Sequence, residues 1–119
     1  MIRNFLLVAL GGAIGTVLRY TASLFIPVRF FPWPTIFVNI TGSFLIGLIL
    51  AFSIKEESFL YSWKLFLATG ICGGFTTFSA FSLENMELLQ EGKYALAATY
   101  ILISVVAGIG AAFLGFKLI

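Results

Sequence analysis

The sequence predicts an all-α membrane protein of four transmembrane helices per subunit, with the third helix broken. Three observations carry that expectation. The 119-residue chain is 61% hydrophobic and only 10% charged, with a mean hydropathy of +1.09, whereas soluble domains run closer to half apolar and a quarter charged. Four apolar stretches of about 20 residues, the length a helix needs to cross a bilayer core, are separated by prolines or charges. The third stretch runs Gly-Gly-Phe-Thr-Thr-Phe-Ser through its middle, a poor helix interior.

The first span is expected over residues 5–26, interrupted only by Arg19. It begins like a secretory signal, but its apolar run passes signal length and carries that arginine, so it reads as a retained helix. Pro27, Arg29, Pro32 and Pro34 end it in a loop, since each proline discourages continued helix. The second span, 35–54, contains no charge and stops at Lys55-Glu56-Glu57. The third, 63–87, begins near Trp63 and Lys64, and the fourth, 94–116, is closed by Lys117. Trp33, Tyr61, Trp63 and Tyr94 fall near span ends, where amphipathic rings favour the interface. The whole chain, 1–119, is one transmembrane domain.

The third span reads Gly70-Ile71-Cys72-Gly73-Gly74-Phe75-Thr76-Thr77-Phe78-Ser79-Ala80-Phe81-Ser82. Glycine and β-branched residues both weaken a helix interior, and broken backbone inside a membrane is tolerated only where protein buries it or water lines it. The stretch therefore reads either as a break marking a site or as glycines that permit close helix packing.

Charge bears on orientation. Four spans place Arg3, Lys55, Lys64 and Lys117 on one side and Arg19, Arg29 and Lys93 on the other, a weak bias under the positive-inside rule. Such a chain can insert both ways up, which an antiparallel pair of subunits would use. Four packed helices leave no aqueous path between them, so a transport route requires a second subunit. Small residues for close contact stand at Gly11 and Gly15, and at Ala107, Ala111 and Gly115.

Absences exclude several chemistries. Without His or Asp there is no imidazole proton shuttle, His metal site or Ser/His/Asp triad. One cysteine, Cys72, allows no intrachain disulfide. No basic run suggests nucleic acid. Polar groups in a bilayer are costly and mark function or pairing. Asn39, Ser43 and Gly47 lie four residues apart on one helix face, as do Tyr100 and Ser104, while Thr76, Thr77, Ser79 and Ser82 crowd the third span. Each alone fits an interhelical hydrogen bond; three stripes together fit a lined path. The lining offers donors, a restarting helix favours anions, and Phe78 and Phe81 share a face whose positive ring edges can meet a small anion. The residues themselves reach a low-charge pore for a small anion or polar solute and go no further.

Taken together, Gly11-Gly12 through Gly15 to Arg19-Tyr20, Val38-Asn39 with Gly42-Ser43-Phe44 and Gly47, and above all the Gly73-Gly74-x-Thr76-Thr77-Phe78-Ser79-x-Phe81 string resemble the Fluc fluoride channel family, also called CrcB-like proteins. The resemblance covers the whole chain. Ala80 stands where members often carry Thr, and Gly108 lacks the hydroxyl of the family's next track position. The resemblance implies an antiparallel, dual-topology homodimer in the cell inner membrane, with two pores that export cytoplasmic fluoride passively. Pore residues would be Asn39, Ser43, Thr77, Phe78, Ser79, Phe81, Tyr100 and Ser104, with Arg19 electrostatic or structural. A structural sodium ion at the dimer interface would be held by the carbonyls of Gly73 and Thr76. Fluoride, membrane lipid and the second subunit are the expected partners. Two rivals stand beside this reading. One is a small proton-coupled multidrug-type transporter, for which Glu84 is the nearest carboxylate; the other is a non-transporting scaffold.

Overall fold

The computed structural model of the protein describes residues 1–59 and 61–119. Among the described residues the regular structure is all helical, and four helices are long and apolar enough to cross a membrane. They are α1 (Ile2–Phe25), α2 (Trp33–Lys55), α3 (Tyr61–Gln90) and α4 (Tyr94–Leu118). Each contains nearly all of its expected span and extends past one or both ends of it. Trp33 and Pro34 belong to the first turn of α2 rather than to the loop. A proline there costs nothing, because its missing N–H would have had no intrahelical partner.

The α3 helix is not uniform. Four α-helical residues, Tyr61–Lys64, lead into a π-helical stretch, Leu65–Cys72, and a last α turn, Gly73–Phe75. The chain then extends at Thr76 (φ −88°, ψ 158°) and Thr77 (φ −150°, ψ 117°) before α-helix resumes over Phe78–Gln90. The break therefore lies after the glycines, not at them, since Gly73 keeps helical angles (φ −63°, ψ −37°). Nothing in the residue pattern marks the π-helical stretch.

The glycines serve close approach instead. Lipid tails supply no hydrophobic drive between helices, so membrane packing depends on backbones coming near enough for van der Waals contact. A Cβ on Gly11 would lie 2.5 Å from the Phe66 carbonyl oxygen, and one on Gly74 would lie 2.5 Å from that of Gly12. Gly15 sits equally tight against Ile71. The Gly11/Gly15 pair, expected to support assembly between subunits, is thus spent inside one chain on the α1–α3 seam. A second seam joins α2 to α4, where Gly47 abuts Ala112 and Gly115 abuts Phe44. The N-terminal arm of α3 packs chiefly on α1, whereas its C-terminal arm packs on α4. The break is where α3 changes partner.

Candidate functional site: the break in the third helix

Breaking a helix in a membrane frees backbone groups that no water can reach, so each needs another partner. Three side chains provide them. The Thr77 N–H, which an unbroken helix would aim at the Gly73 carbonyl, donates to Asn39 Oδ1 at 2.8 Å, and Asn39 Nδ2 donates to the Thr77 carbonyl at 3.1 Å. Arg19 Nε of α1 donates to the Gly74 carbonyl at 3.0 Å. The Thr77 hydroxyl caps the resumed helix by accepting the Ala80 N–H at 3.1 Å, as threonine does at an N-cap. It also lies 3.2 Å from the Ser79 hydroxyl. Upstream, the Thr76 hydroxyl donates to the Cys72 carbonyl at 2.9 Å. Residues from α1, α2 and α3 itself thereby hold one two-residue extension.

These diversions have a consequence for the carbonyls. Gly73 loses its regular donor because the Thr77 N–H turns to Asn39. Thr76 loses its own because the Ala80 N–H turns to Thr77. Two neutral backbone oxygens are left without their helical partners beside an open groove of about 270 Å³, lined by Asn39, Gly42, Ser43, Ile46, Cys72, Gly73, Thr76, Thr77 and Phe78. Phe78, first residue of the resumed helix, stands 77% exposed at this groove.

The other sequence-derived candidates divide. Phe81 lies 5.7 Å from Phe78 between ring centroids and 5.0 Å from Tyr100 in an edge contact. Tyr100 is fully buried, packed also against Phe31 at 5.5 Å. Ser104, half-buried one turn along α4, does not line the groove at the break. Ser43 does, and an added Cβ on Gly108 would come within 3.8 Å of its hydroxyl. The chain thus gathers Asn39, Ser43, Thr76, Thr77 and Phe78 at the break, and sets Phe81 and Tyr100 in the adjoining aromatic core.

Two residues of this region are absent from the sequence-derived set. The Tyr100 hydroxyl donates to Glu84 Oε1 at 2.6 Å, and the Thr35 hydroxyl donates to Glu84 Oε2 at 2.8 Å. Glu84 is therefore an anchored acceptor joining α2, α3 and α4, not a carboxylate standing alone in a path. Its signal in the sequence is an acidic residue inside an apolar span, three residues before Glu87 at the span's expected end. Thr35 gives no signal, because its partner is 49 residues away.

Fold and site define a multi-pass helical membrane protein whose third helix is cut at mid-span and sealed by polar side chains of the preceding helices. The chain belongs to the CrcB-like family: the family described as CrcB-like protein, Camphor Resistance (CrcB), matches residues 6–116. It is 46% identical to a protein of Azobacteroides pseudotrichonymphae over 99% of this chain and 97% of that one. It is 47% identical to a protein of Leptospira interrogans over 95% of this chain and 91% of that one. It is 48% identical to one of Agrobacterium fabrum over 97% and 94%. Each of the three is named a fluoride-specific ion channel, FluC.

Proposed function

We propose that this protein is a fluoride-selective channel that lets cytoplasmic fluoride leave the cell by passive electrodiffusion. It is a conduit, not an enzyme. The observation that carries the reading is end-to-end likeness to proteins named fluoride-specific ion channels, joined to an exposed Phe78 beside the sealed break. In the pore Phe78 and Phe81 present positive ring edges to the anion. The hydroxyls of Ser43, Thr77, Ser79 and Ser104 supply donors. Asn39 acts by fixing the backbone from which Phe78 projects, and Arg19 does the same from the other side. Tyr100 supports Phe81 from behind and is held by Glu84.

The working unit is an antiparallel, dual-topology homodimer with two pores, in the inner membrane. Extended backbone cannot face lipid, and the groove at Thr76 and Thr77 is open in one chain. A second copy seated there would cover both the break and Phe78. The carbonyls of Gly73 and Thr76, stripped of their helical donors, have the neutral oxygen chemistry that suits a hard monovalent cation, and they would hold a structural sodium ion at the interface. Glu84 offers the transporter reading no support, since both its oxygens are engaged.

Purified protein in liposomes loaded with potassium fluoride should release fluoride rapidly on valinomycin addition, while chloride-loaded liposomes release little. Absence of fluoride release from folded dimer would defeat the proposal. Preparing the protein in N-methylglucamine in place of sodium should shift its elution towards monomer; an unchanged dimer peak would remove the ion from the interface.

A further inference from the structure

A cavity of about 310 Å³ lies at the opposite end of the α1–α3 seam from the resumed helix, lined by Arg3, Leu7, Leu10, Ser62, Trp63 and Phe66. Its chemistry is graded along the membrane normal. Arg3, Ser62 and Trp63 sit at the helix ends and carry only donors or, for the hydroxyl, a donor that also accepts. Leu7, Leu10 and Phe66 continue the wall one to two turns into the span. Among the described residues Arg3 makes no hydrogen bond or ion pair, and no carboxylate lines the cavity. Trp63 is 53% exposed and meets Phe66 edge-on at 6.2 Å, and it stands in the first turn of α3, the position at which such rings favour the headgroup boundary.

We infer that this cavity is a binding site for an anionic phospholipid, with the headgroup phosphate on Arg3 and Ser62 beside the Trp63 indole and one acyl chain along Leu7, Leu10 and Phe66. A guanidinium without a protein counter-ion suits the forked oxygens of a phosphate. The absence of any acidic lining disfavours a headgroup that brings its own ammonium. A soluble phosphate would leave the apolar half of the cavity unfilled, which is why the occupant is a lipid. This inference does not depend on fluoride conduction.

Trp63 reports on its own site. In a Trp33→Phe background it is the sole tryptophan, and its fluorescence is read in phosphatidylcholine vesicles doped with lipid brominated high on the acyl chain. Brominated phosphatidylglycerol should quench at about fivefold lower mole fraction than brominated phosphatidylcholine, the preference one basic side chain gives for anionic lipid at the surface. Arg3→Gln should abolish that preference with fluoride release unchanged, whereas Lys64→Gln, which changes a charge on the same membrane side but outside this cavity, should preserve it. Equal quenching by the two lipids would mean ordinary annular contact and overturn the site. Loss of the preference in Lys64→Gln as much as in Arg3→Gln would also overturn it, leaving only general surface charge.

Discussion

At Asn39 one amide does the work of a helical turn. It accepts the Thr77 N–H that Gly73 gives up and donates to the Thr77 carbonyl, so its role is to fix where Phe78 begins. Asn39→Leu should leave the Thr77 N–H buried without a partner, at a cost of about 1–3 kcal/mol, and lower the thermal midpoint in detergent together with fluoride flux. Asn39→Asp retains the acceptor but sets a carboxylate oxygen against the Thr77 carbonyl; it should lose flux as well, and normal flux would remove Asn39 from the pore's construction. Phe78 is a different case, since it is exposed and seals nothing. Phe78→Ile should keep the fold and the dimer yet lower flux about tenfold, the rate equivalent of about 1.4 kcal/mol, because an aliphatic chain has no positive edge to offer an anion. Equal flux in the variant and the parent would take the ring out of the pathway.

Helix by helix, the glycine run does two jobs that one string of letters cannot separate. Gly70 and Gly74 press against Gly11 and Gly12 of α1, while the interruption falls two residues after Gly74, at Thr76 and Thr77. The two sequence readings, close packing and a broken helix, are therefore both correct, at different residues. Gly74→Ala tests the first: its Cβ would meet backbone of Gly12 and Thr16, which can yield only by moving α1 away and straining the Arg19–Gly74 bond. A loss of about 1–3 kcal/mol is expected, in the range of overpacking substitutions. Gly12→Ala, with nothing within 4 Å of the added carbon, should leave the melting curve where it is or raise it slightly, since alanine favours helix over glycine; a matching loss there would mean that contact across the α1–α3 seam is not what the Gly74 substitution measures. Span number and approximate limits were legible because hydropathy alone decides them in a bilayer. That this stretch is broken was legible through the Gly-Gly-x-Thr-Thr-Phe string, but the place was not: the glycines stay helical and the extension falls at Thr76 and Thr77. The Thr35–Glu84–Tyr100 bridge and the Arg19–Gly74 bond were not, because they join residues far apart in the chain whose meeting is set only by how the helices pack.

The structure also revises the charges that decide orientation of the whole molecule. Arg19 lies within α1 and is bonded at the break, so it is not a loop charge. Arg3, Lys55, Lys64 and Lys117 then stand against Arg29 and Lys93 alone, a bias still small for the positive-inside rule. An antiparallel dimer requires that chains insert in both orientations in comparable numbers, and one reporter in the loop before α3 measures this. Glu57 is exposed just beyond the end of α2, and Cys72 is the sole native thiol. In a Cys72→Ala, Glu57→Cys chain, a membrane-impermeant maleimide should label about half the molecules in sealed right-side-out vesicles and all of them after permeabilisation, the outcome a near-balanced chain predicts. Adding Glu56→Lys raises the positive charge of that loop and should draw it to the cytoplasmic side, so labelling falls well below half. Fluoride flux should fall with it, because fewer antiparallel pairs form. Complete or absent labelling of the parent chain would mean a single orientation, and the groove at Thr76 and Thr77 would then have to be covered by a parallel partner.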